Sequence, residues 1–480
     1  MTLGEQRTPS TTLPVNPFRR ELLPLVLVQL FLVPLLFADV LLRATNRPEW
    51  VSAFHLNLLY VLFAPVLLFA YAYYRPDRNL WLHVAQLAIL ILLTFALLRQ
   101  EYKYIPPADE GRTIHVAILY LYYLAYPLLG YDLVSFFRER AVYIAAYATV
   151  LGVYFFHVDG MAAGSGKARF VVMVALIFGM NLFFIPRHVS RDVFLWALSL
   201  AATFAVGLGL PAYLFGEYQV SWLQMRLFAA EFTAPLLGVK LHYLQSIFAN
   251  PNTLGGLAFA GAFAALVLAG EAARRRSFAV VPIAGAMFLL NGIGVYASYS
   301  RASWLALALA STVYASYLAF DRRTVAYATV ALGALTVLFF AGMFLSVVPI
   351  DPHGRFALWR GGLGAVLHAP SPFGYGVVAE DQVIAPFVPD ANFRGYSPHN
   401  SYMVIFLNTG IVGGLAYLVL TLGSIAEGLF RYETVDVPML GFAVGFSVHH
   451  LFEAYTMFNI AVASVVSALV FGYLICGYRR

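Results

Sequence analysis

Long apolar runs recur along almost the whole of this 480-residue chain and constrain its fold more than any other feature. A helix needs roughly 18–25 mostly apolar residues to cross a hydrocarbon layer of about 30 Å. Only helices satisfy their own backbone groups over such lengths. We therefore predict an all-α polytopic membrane protein with about 12–14 transmembrane helices. The runs lie near residues 22–42, 51–74, 80–98, 113–137, 141–157, 169–185, 193–215, 253–270, 278–298, 303–320, 324–348, 401–421, 438–457 and 460–477.

Composition excludes a soluble protein. Hydrophobic residues make up 61% of the chain, charged residues make up 11%, and the mean hydropathy is +0.77. A soluble core could not bury this much apolar surface. Arg19 and Arg20 precede a first run that is too long for a cleavable signal, so we predict a retained helix. Arginines in the short loops on that side predict that both termini are cytoplasmic.

The runs divide the chain into five parts. We predict N-terminal transmembrane helices over 1–215, an outer loop over 216–252 and further helices over 253–348. A large outer loop follows over 349–400, just before the twelfth run, and C-terminal helices cover 401–480.

Within the large loop, residues 354–368 have helical spacing. Trp359, Leu363 and Leu367 share one face, together with Val366. This spacing predicts an amphipathic helix on the outer membrane surface, with Arg355 and Arg360 at headgroup depth. The alternative is ordinary interfacial anchoring by tryptophan and arginine.

Arg301 lies where two apolar runs meet with almost no connector. Its planar guanidinium suits bidentate recognition of a pyrophosphate. An arginine that only extends its charge towards water from a helix end is the alternative.

His399 immediately precedes the twelfth run, where Asn400 or Ser401 is expected to cap the helix. Near neutral pH, imidazole is the natural general base for a hydroxyl nucleophile. The alternative is an exposed loop histidine without a role. For His449, His450 and Glu453, near the end of the thirteenth run, structural pairing with one another is the favoured interpretation.

Several familiar chemistries are missing from the sequence. Residues 160–167 end in Gly-Lys but lack the spacing of a phosphate-binding loop. No Asp-x-Asp occurs, no Cys/His cluster has zinc spacing, and nothing indicates nucleic-acid binding. An enzyme of this kind would use an activated anionic donor without a cofactor or an obligatory metal.

Four short elements, over roughly residues 216–420, resemble the bacterial O-antigen ligase and O-antigen polymerase superfamily of membrane glycosyltransferases. The elements are Phe248-Ala249-Asn250-Pro251-Asn252 with Leu254-Gly255, then Ser300-Arg301-Ala302, then Arg355-Phe356-Ala357-Leu358-Trp359 with Gly374-Tyr375-Gly376, and last His399-Asn400-Ser401-Tyr402 with Gly410-Ile411-Val412-Gly413. Members often carry an arginine shortly before the first element. Here Lys240 or the more distant Arg226 is the candidate substitute.

The resemblance implies transfer of a glycan from undecaprenyl diphosphate to a sugar hydroxyl of the lipid A core. It implies a bacterial inner (cytoplasmic) membrane and a periplasmic active site. Arg301 and Arg355 would bind the diphosphate, with Lys240 or Arg226, and His399 would activate the acceptor. Asn400, Trp359 and Asn252 would support them.

The acceptor stays open at this point. A polymerase that extends lipid-linked glycans and a protein O-oligosaccharyltransferase share this donor chemistry, and we favour the ligase because the large loop lies late. A lipid or polysaccharide transporter is the alternative from a different class. Transporters place ionisable groups near the midplane of the membrane, whereas the polar residues here are mostly external.

Overall fold

A computed structural model describes residues 133–157, parts of 171–186, and 191–477 apart from short gaps at 221–222, 235–237, 346, 348–353, 377–378 and 459–460. The runs predicted before residue 133 and both termini lie outside the described residues. The described part is mostly helical, and the chain is a polytopic helical membrane protein. Six described helices are long and apolar enough to cross a membrane.

The helices follow the apolar runs closely. In chain order they are α1 (Leu133–Glu139), α2 (Ala141–Phe156), α3 (Arg191–Gly209), α4 (Ala212–Phe215), α5 (Pro251–Arg274), α6 (Val280–Ala297), α7 (Arg301–Ala319), α8 (Arg322–Phe344), α9 (Arg355–Leu367), α10 (Glu380–Ile384), α11 (Ser401–Leu418), α12 (Ser424–Phe430), α13 (Val437–Phe452) and α14 (Val462–Cys476). Single π-helical turns cover Met180–Phe184 and Val419–Gly423, and 3₁₀ turns cover Ala385–Phe387 and Ala391–Phe393.

The segment predicted as an outer loop, 216–252, contains a small antiparallel sheet. Its strands are β1 (Tyr218–Val220), β2 (Leu223–Thr233) and β3 (Lys240–Ser246), in the order β1-β2-β3. The Ser246 hydroxyl donates to the Ala205 carbonyl oxygen of α3 over 2.6 Å, which fixes the sheet to one end of the bundle. We call this the sheet end.

Helix α5 is the central helix and is buried along most of its length. It packs closely against α3 and α6 because glycines lie at the contacts. A Cβ atom added at Gly261 would collide with the Cβ atom of Ala202 on α3. Small residues let membrane helices approach closely, and the resulting van der Waals contacts hold such bundles together.

Helix α11 is broken at Gly410, where φ is +62° and ψ is −163°. The large loop fills the break with its own backbone. The N–H groups of Tyr375 and Gly376 donate to the carbonyl oxygens of Leu407 and Asn408, each over 2.9 Å. Because backbone groups at membrane depth must be satisfied inside the protein, these bonds anchor the large loop to the bundle.

The opposite end of the bundle is held by a buried ion cluster around Arg191, so we call it the Arg191 end. Arg191 is 8% exposed. Its guanidinium lies 2.6 Å from Glu271, 2.9 Å from Asp192 and 3.0 Å from Asp436. These carboxylates belong to α5, α3 and the residue that caps α13, so one arginine connects three helices.

Replacing Arg191 with methionine should destabilise the protein by about 3–5 kcal/mol, because buried carboxylates lose their counter-charge. The measurement is the midpoint of thermal unfolding of the purified protein in detergent. Arg276→Met, at an exposed arginine of the same end, is the matched control and should unfold near the wild-type temperature. Equal midpoints for the two variants would contradict a structural role for the cluster.

Candidate active site at the sheet end

A buried glutamate, through its carboxylate and its backbone, connects three helix beginnings at the sheet end. Glu453 lies one residue beyond the end of α13 and is 3% exposed. Its Oε1 atom lies 3.4 Å from the guanidinium of Arg355, the first residue of α9. The Asn252 side chain, at the start of α5, also bonds to this carboxylate. The hydroxyl of Ser401, the first residue of α11, donates to the Glu453 carbonyl oxygen over 2.6 Å.

A fourth helix begins against the same turn of α13. The Ser303 hydroxyl, in the first turn of α7, lies 3.3 Å from His449 Nε2 and 2.8 Å from the Ser300 hydroxyl. All three side chains are buried. Gly255 permits this packing, because a Cβ atom there would lie 2.5 Å from the Cβ atom of Ser300.

Four helix N-termini therefore converge on the last turn of α13 within the described part of the chain. The N-terminus of a helix carries roughly half a positive charge and presents free N–H groups. Arg301 and Arg355 are the first residues of α7 and α9, where a positive side chain is disfavoured by the helix dipole. This end of the bundle thus collects positive potential, which favours an anionic ligand.

Arg301 is the cation best placed to bind such a ligand. Its side chain is exposed, and it forms no ion pair with any residue in the described ranges. Its guanidinium carbon lies 5.5 Å from the centre of the Tyr299 ring. Tyr299 has a left-handed backbone with φ of +51°, a conformation that is uncommon for aromatic residues. The guanidinium is therefore supported by a ring, and its donors remain available.

Arg355 is in a different environment. It donates to the Phe452 carbonyl oxygen and pairs with Glu453, and its guanidinium lies 5.6 Å from the Phe452 ring centre. Burial raises the pKa of the Glu453 carboxyl to about 7, and the attraction of Arg355 opposes this rise. Direct contact of Arg355 with a diphosphate stays a prediction.

His399 is held from both sides at the entrance to α11. Trp359 Nε1 donates to the Pro398 carbonyl oxygen over 3.1 Å, and Asn400 Oδ1 accepts from the Met403 N–H over 3.0 Å. The His399 backbone is left-handed, with φ of +44°. Partial burial lowers the pKa of His399 below its ordinary value of 6.5, and the charge of Arg355 lowers it further. The imidazole is consequently neutral near pH 7, which is the state that a general base requires.

The structure contains the helix predicted over 354–368, and its position on the membrane surface stays a prediction. Helix α9 packs on the protein through Phe356, Leu358 and Ala365, while Leu363 and Leu367 are exposed. Trp359 bonds to the Pro398 carbonyl oxygen and contacts the Phe452 ring, with 5.7 Å between centroids. Trp359 therefore supports the His399 segment, in addition to any contact with lipid.

The two other candidate cations lie on the sheet. Arg226 is in β2, where its guanidinium bonds to the Gln224 side chain. Lys240 is exposed at the start of β3, opposite Thr233. A role for either residue in binding the diphosphate stays a prediction.

The prediction that His449, His450 and Glu453 pair with one another is wrong. His449 contacts Ser303, His450 Nδ1 lies 3.4 Å from the Tyr417 hydroxyl, and Glu453 binds Arg355. His449 and His450 are successive helical residues and point in different directions. Glu453 lies beyond the end of α13, so each of the three side chains meets a different helix. Sequence indicated that these residues were buried but could not identify partners that lie far away in the chain. Among the described residues, no group of three or more His, Cys, Asp or Glu could hold a metal ion.

Residues 284–418 match the family described as O-antigen ligase. This range contains Arg301, Arg355 and His399 and runs from within α6 to the end of α11. A search of curated proteins gave no significant match to the chain.

Replacing Arg355 with methionine should destabilise the protein more at about pH 8 than at about pH 6. Below the Glu453 pKa of about 7, this side chain is largely protonated in the folded state. Removal of the arginine then leaves no unpaired carboxylate, so the protein loses little stability. Above that pH the wild-type pair is ionised. The variant must then either keep a proton on Glu453, which the unfolded state releases, or bury an unpaired charge.

The measurement is the thermal unfolding midpoint of both proteins at the two pH values. The double variant Arg355→Met/Glu453→Gln is the control, and its midpoint should lack the additional loss at high pH. A pH-independent difference between wild type and the single variant would contradict the pairing.

Proposed function

We propose that this chain, whose residues 284–418 match the O-antigen ligase family, transfers a glycan from undecaprenyl diphosphate to a sugar hydroxyl of the lipid A core. The family match supports an O-antigen ligase or polymerase type of function and a multi-pass membrane protein. We further propose that the sheet end faces the periplasm of a bacterial inner membrane. The observation that carries the proposal is the convergence of four helix N-termini, one of which begins with Arg301 while another directly follows the His399 turn.

On the donor side, the reaction requires that the negative charge of the leaving diphosphate be stabilised. The bond between the anomeric carbon and the phosphate oxygen breaks, and the diphosphate leaves with the electron pair. Preorganised cations and N–H groups stabilise charge that develops in this way, because they need no reorganisation during the reaction. Arg301 can offer two parallel N–H donors to one phosphate, and the first turns of α7 and α9 add their dipoles.

The acceptor side needs a base. The attacking hydroxyl forms a new bond to the anomeric carbon and loses its proton to the free ring nitrogen of His399. Water or buffer later removes that proton. Because burial, and to a smaller extent the charge of Arg355, lower the pKa of His399, its imidazole is neutral and ready to accept a proton at physiological pH. The residues named here need no metal ion for either half of the reaction.

Arg355 contributes to both the donor side and the acceptor side of the reaction, although its own guanidinium is already paired. Its ion pair with Glu453 holds the start of α9 against α13. Its charge lowers the pKa of His399 and adds to the potential that the diphosphate meets. Trp359 and Asn400 hold the backbone on either side of His399, and the Asn252 side chain bonds to the Glu453 carboxylate.

His399→Asn should abolish transfer while the protein remains folded. Asparagine tolerates a left-handed backbone better than most residues, so the turn before α11 should persist, but the base is lost. The assay uses purified protein in detergent with an undecaprenyl-diphosphate-linked glycan and a lipid A core acceptor. In wild type, transfer should fall on acidification with a midpoint below pH 6.5, because the pKa of His399 is lowered from that ordinary value.

His368→Asn is the matched control, because His368 is an exposed histidine of the same loop, and it should transfer at the wild-type rate. Unchanged product from His399→Asn would refute the assignment.

The product formed by wild type also identifies the branch of the superfamily. Glycan on lipid A core indicates a ligase, a longer chain on the carrier indicates a polymerase, and glycan on a protein Ser or Thr indicates the protein-modifying branch. Absence of transfer by folded wild type with all three acceptors would favour a transporter.

Arg301→Met should lower kcat/KM by roughly 10²–10³-fold, in line with the loss of one preorganised donor to a developing oxyanion. Arg301→Lys keeps the charge but not the planar fork, so its activity should lie between the methionine variant and wild type. Arg394→Met, at another exposed arginine of the outer segment, is the control. Equal activity of the lysine and methionine variants would show that charge at this position is unimportant.

A further inference from the structure

Four aromatic rings form a continuous contact from the sheet to the side chain that supports Arg301. We call Phe228, Phe232, Tyr243 and Tyr299 the aromatic surface. The ring centres of Phe232 and Tyr299 are 4.4 Å apart and those of Tyr243 and Tyr299 are 5.3 Å apart, with planes within 23° and 22° of parallel. Phe228 extends the series, 6.1 Å from Tyr243 and nearly parallel to it. Arg301 also packs on the Tyr299 ring.

The alternation of β-strand side chains separates two faces of the sheet. Tyr243 and the two phenylalanines lie on the face that meets the bundle. His242, next to Tyr243 in β3, points the other way and lies 3.3 Å from Glu231. The side chains of this ion pair are 45% and 46% exposed. Because an exposed ion pair is costly in lipid, this face of β2 and β3 is suited to water.

The aromatic surface is only partly covered by the protein. Phe232 is buried and anchors the stack, whereas Phe228 is 41% exposed, and Tyr243 and Tyr299 are half-buried. Two of the four rings carry a hydroxyl. Ligand sites combine aromatic faces with a few polar groups in this way.

We propose that the aromatic surface binds the donor glycan at the sugars next to the diphosphate. This inference rests on the proposed function, in which Arg301 binds that diphosphate. A lipid-linked glycan has only two groups beside its diphosphate, the polyprenyl chain and the first sugars. The polyprenyl chain belongs to the bilayer, whereas the opposite face of the sheet carries an exposed ion pair that is suited to water. The C–H faces of sugar rings pack against aromatic rings, and the tyrosine hydroxyls can bond to sugar hydroxyls.

The test is binding of the free glycan, released from its lipid carrier and lacking phosphate, to the purified full-length protein. Phe228→Ala should weaken this binding roughly 2- to 10-fold, the range that corresponds to the energy of one aromatic contact. Phe215→Ala is the matched control. Phe215 is 78% exposed on the short helix before the sheet, and its loss should leave glycan binding unchanged. Tyr243→Leu gives a second variant of the surface, and thermal unfolding in detergent checks that each variant is folded.

A second measurement separates this inference from the proposed function. Undecaprenyl diphosphate without sugar should compete with the donor equally well in Phe228→Ala and wild type, but more weakly in Arg301→Met. Free-glycan binding should be unaffected by Arg301→Met. Equal free-glycan binding by Phe228→Ala and wild type would overturn the inference. Weaker competition by the sugar-free carrier in Phe228→Ala would also overturn it, because that result would indicate a contact with the lipid. Failure of transfer with intact, Phe228-dependent glycan binding would overturn the proposed reaction and leave the glycan surface standing.

Discussion

The last turn of α13 is the point around which the sheet end is organised. His449 and Glu453 lie one helical turn apart, and between them they contact the first turns of α5, α7, α9 and α11. A helix C-terminus carries partial negative charge, and the carboxylate of Glu453 adds to it. Four positive helix ends can therefore gather here at low electrostatic cost. These buried contacts hold the helix ends in position. The side chains that project outward from the same helix ends are therefore held in position as well.

This junction depends on small residues as well as on charge. The two glycines that follow the Asn250-Pro251-Asn252 element lie against Ser300 and against the His449 ring. Larger side chains there would force α5 away from α7 and α13. The buried ion cluster around Arg191 fixes the opposite ends of α3, α5 and α13. Helices α5 and α13 are thus held at both ends, which leaves little freedom for the site residues that they support.

The positions of the helices were easier to predict from the sequence than the contacts between them. The apolar runs at 278–298 and 401–421 anticipated helices that begin at Val280 and Ser401, and the expected cap before the second is Asn400. The sheet was missed because β2 and β3 lie in a segment whose mixed polarity is typical of a loop between helices. The role of Glu453 was missed for another reason. Its partners lie about 50, 100 and 200 residues away in the chain, and no local pattern encodes such contacts.

Arg301 and Arg355 show how position decides what an identical side chain can do. Both begin helices at the same junction, so both add positive potential. Arg355 is paired with a buried carboxylate and a backbone carbonyl oxygen, and a ligand would have to compete with these partners. Arg301 has an aromatic ring beneath it and an exposed side chain, so a phosphate can approach without breaking an existing ion pair. Because the net strength of a hydrogen bond is what remains after the bonds that it replaces are broken, Arg301 is the stronger candidate for direct contact with the diphosphate. Arg355 then serves to hold α9 in place, and its charge adds to the effect of burial, which lowers the pKa of His399.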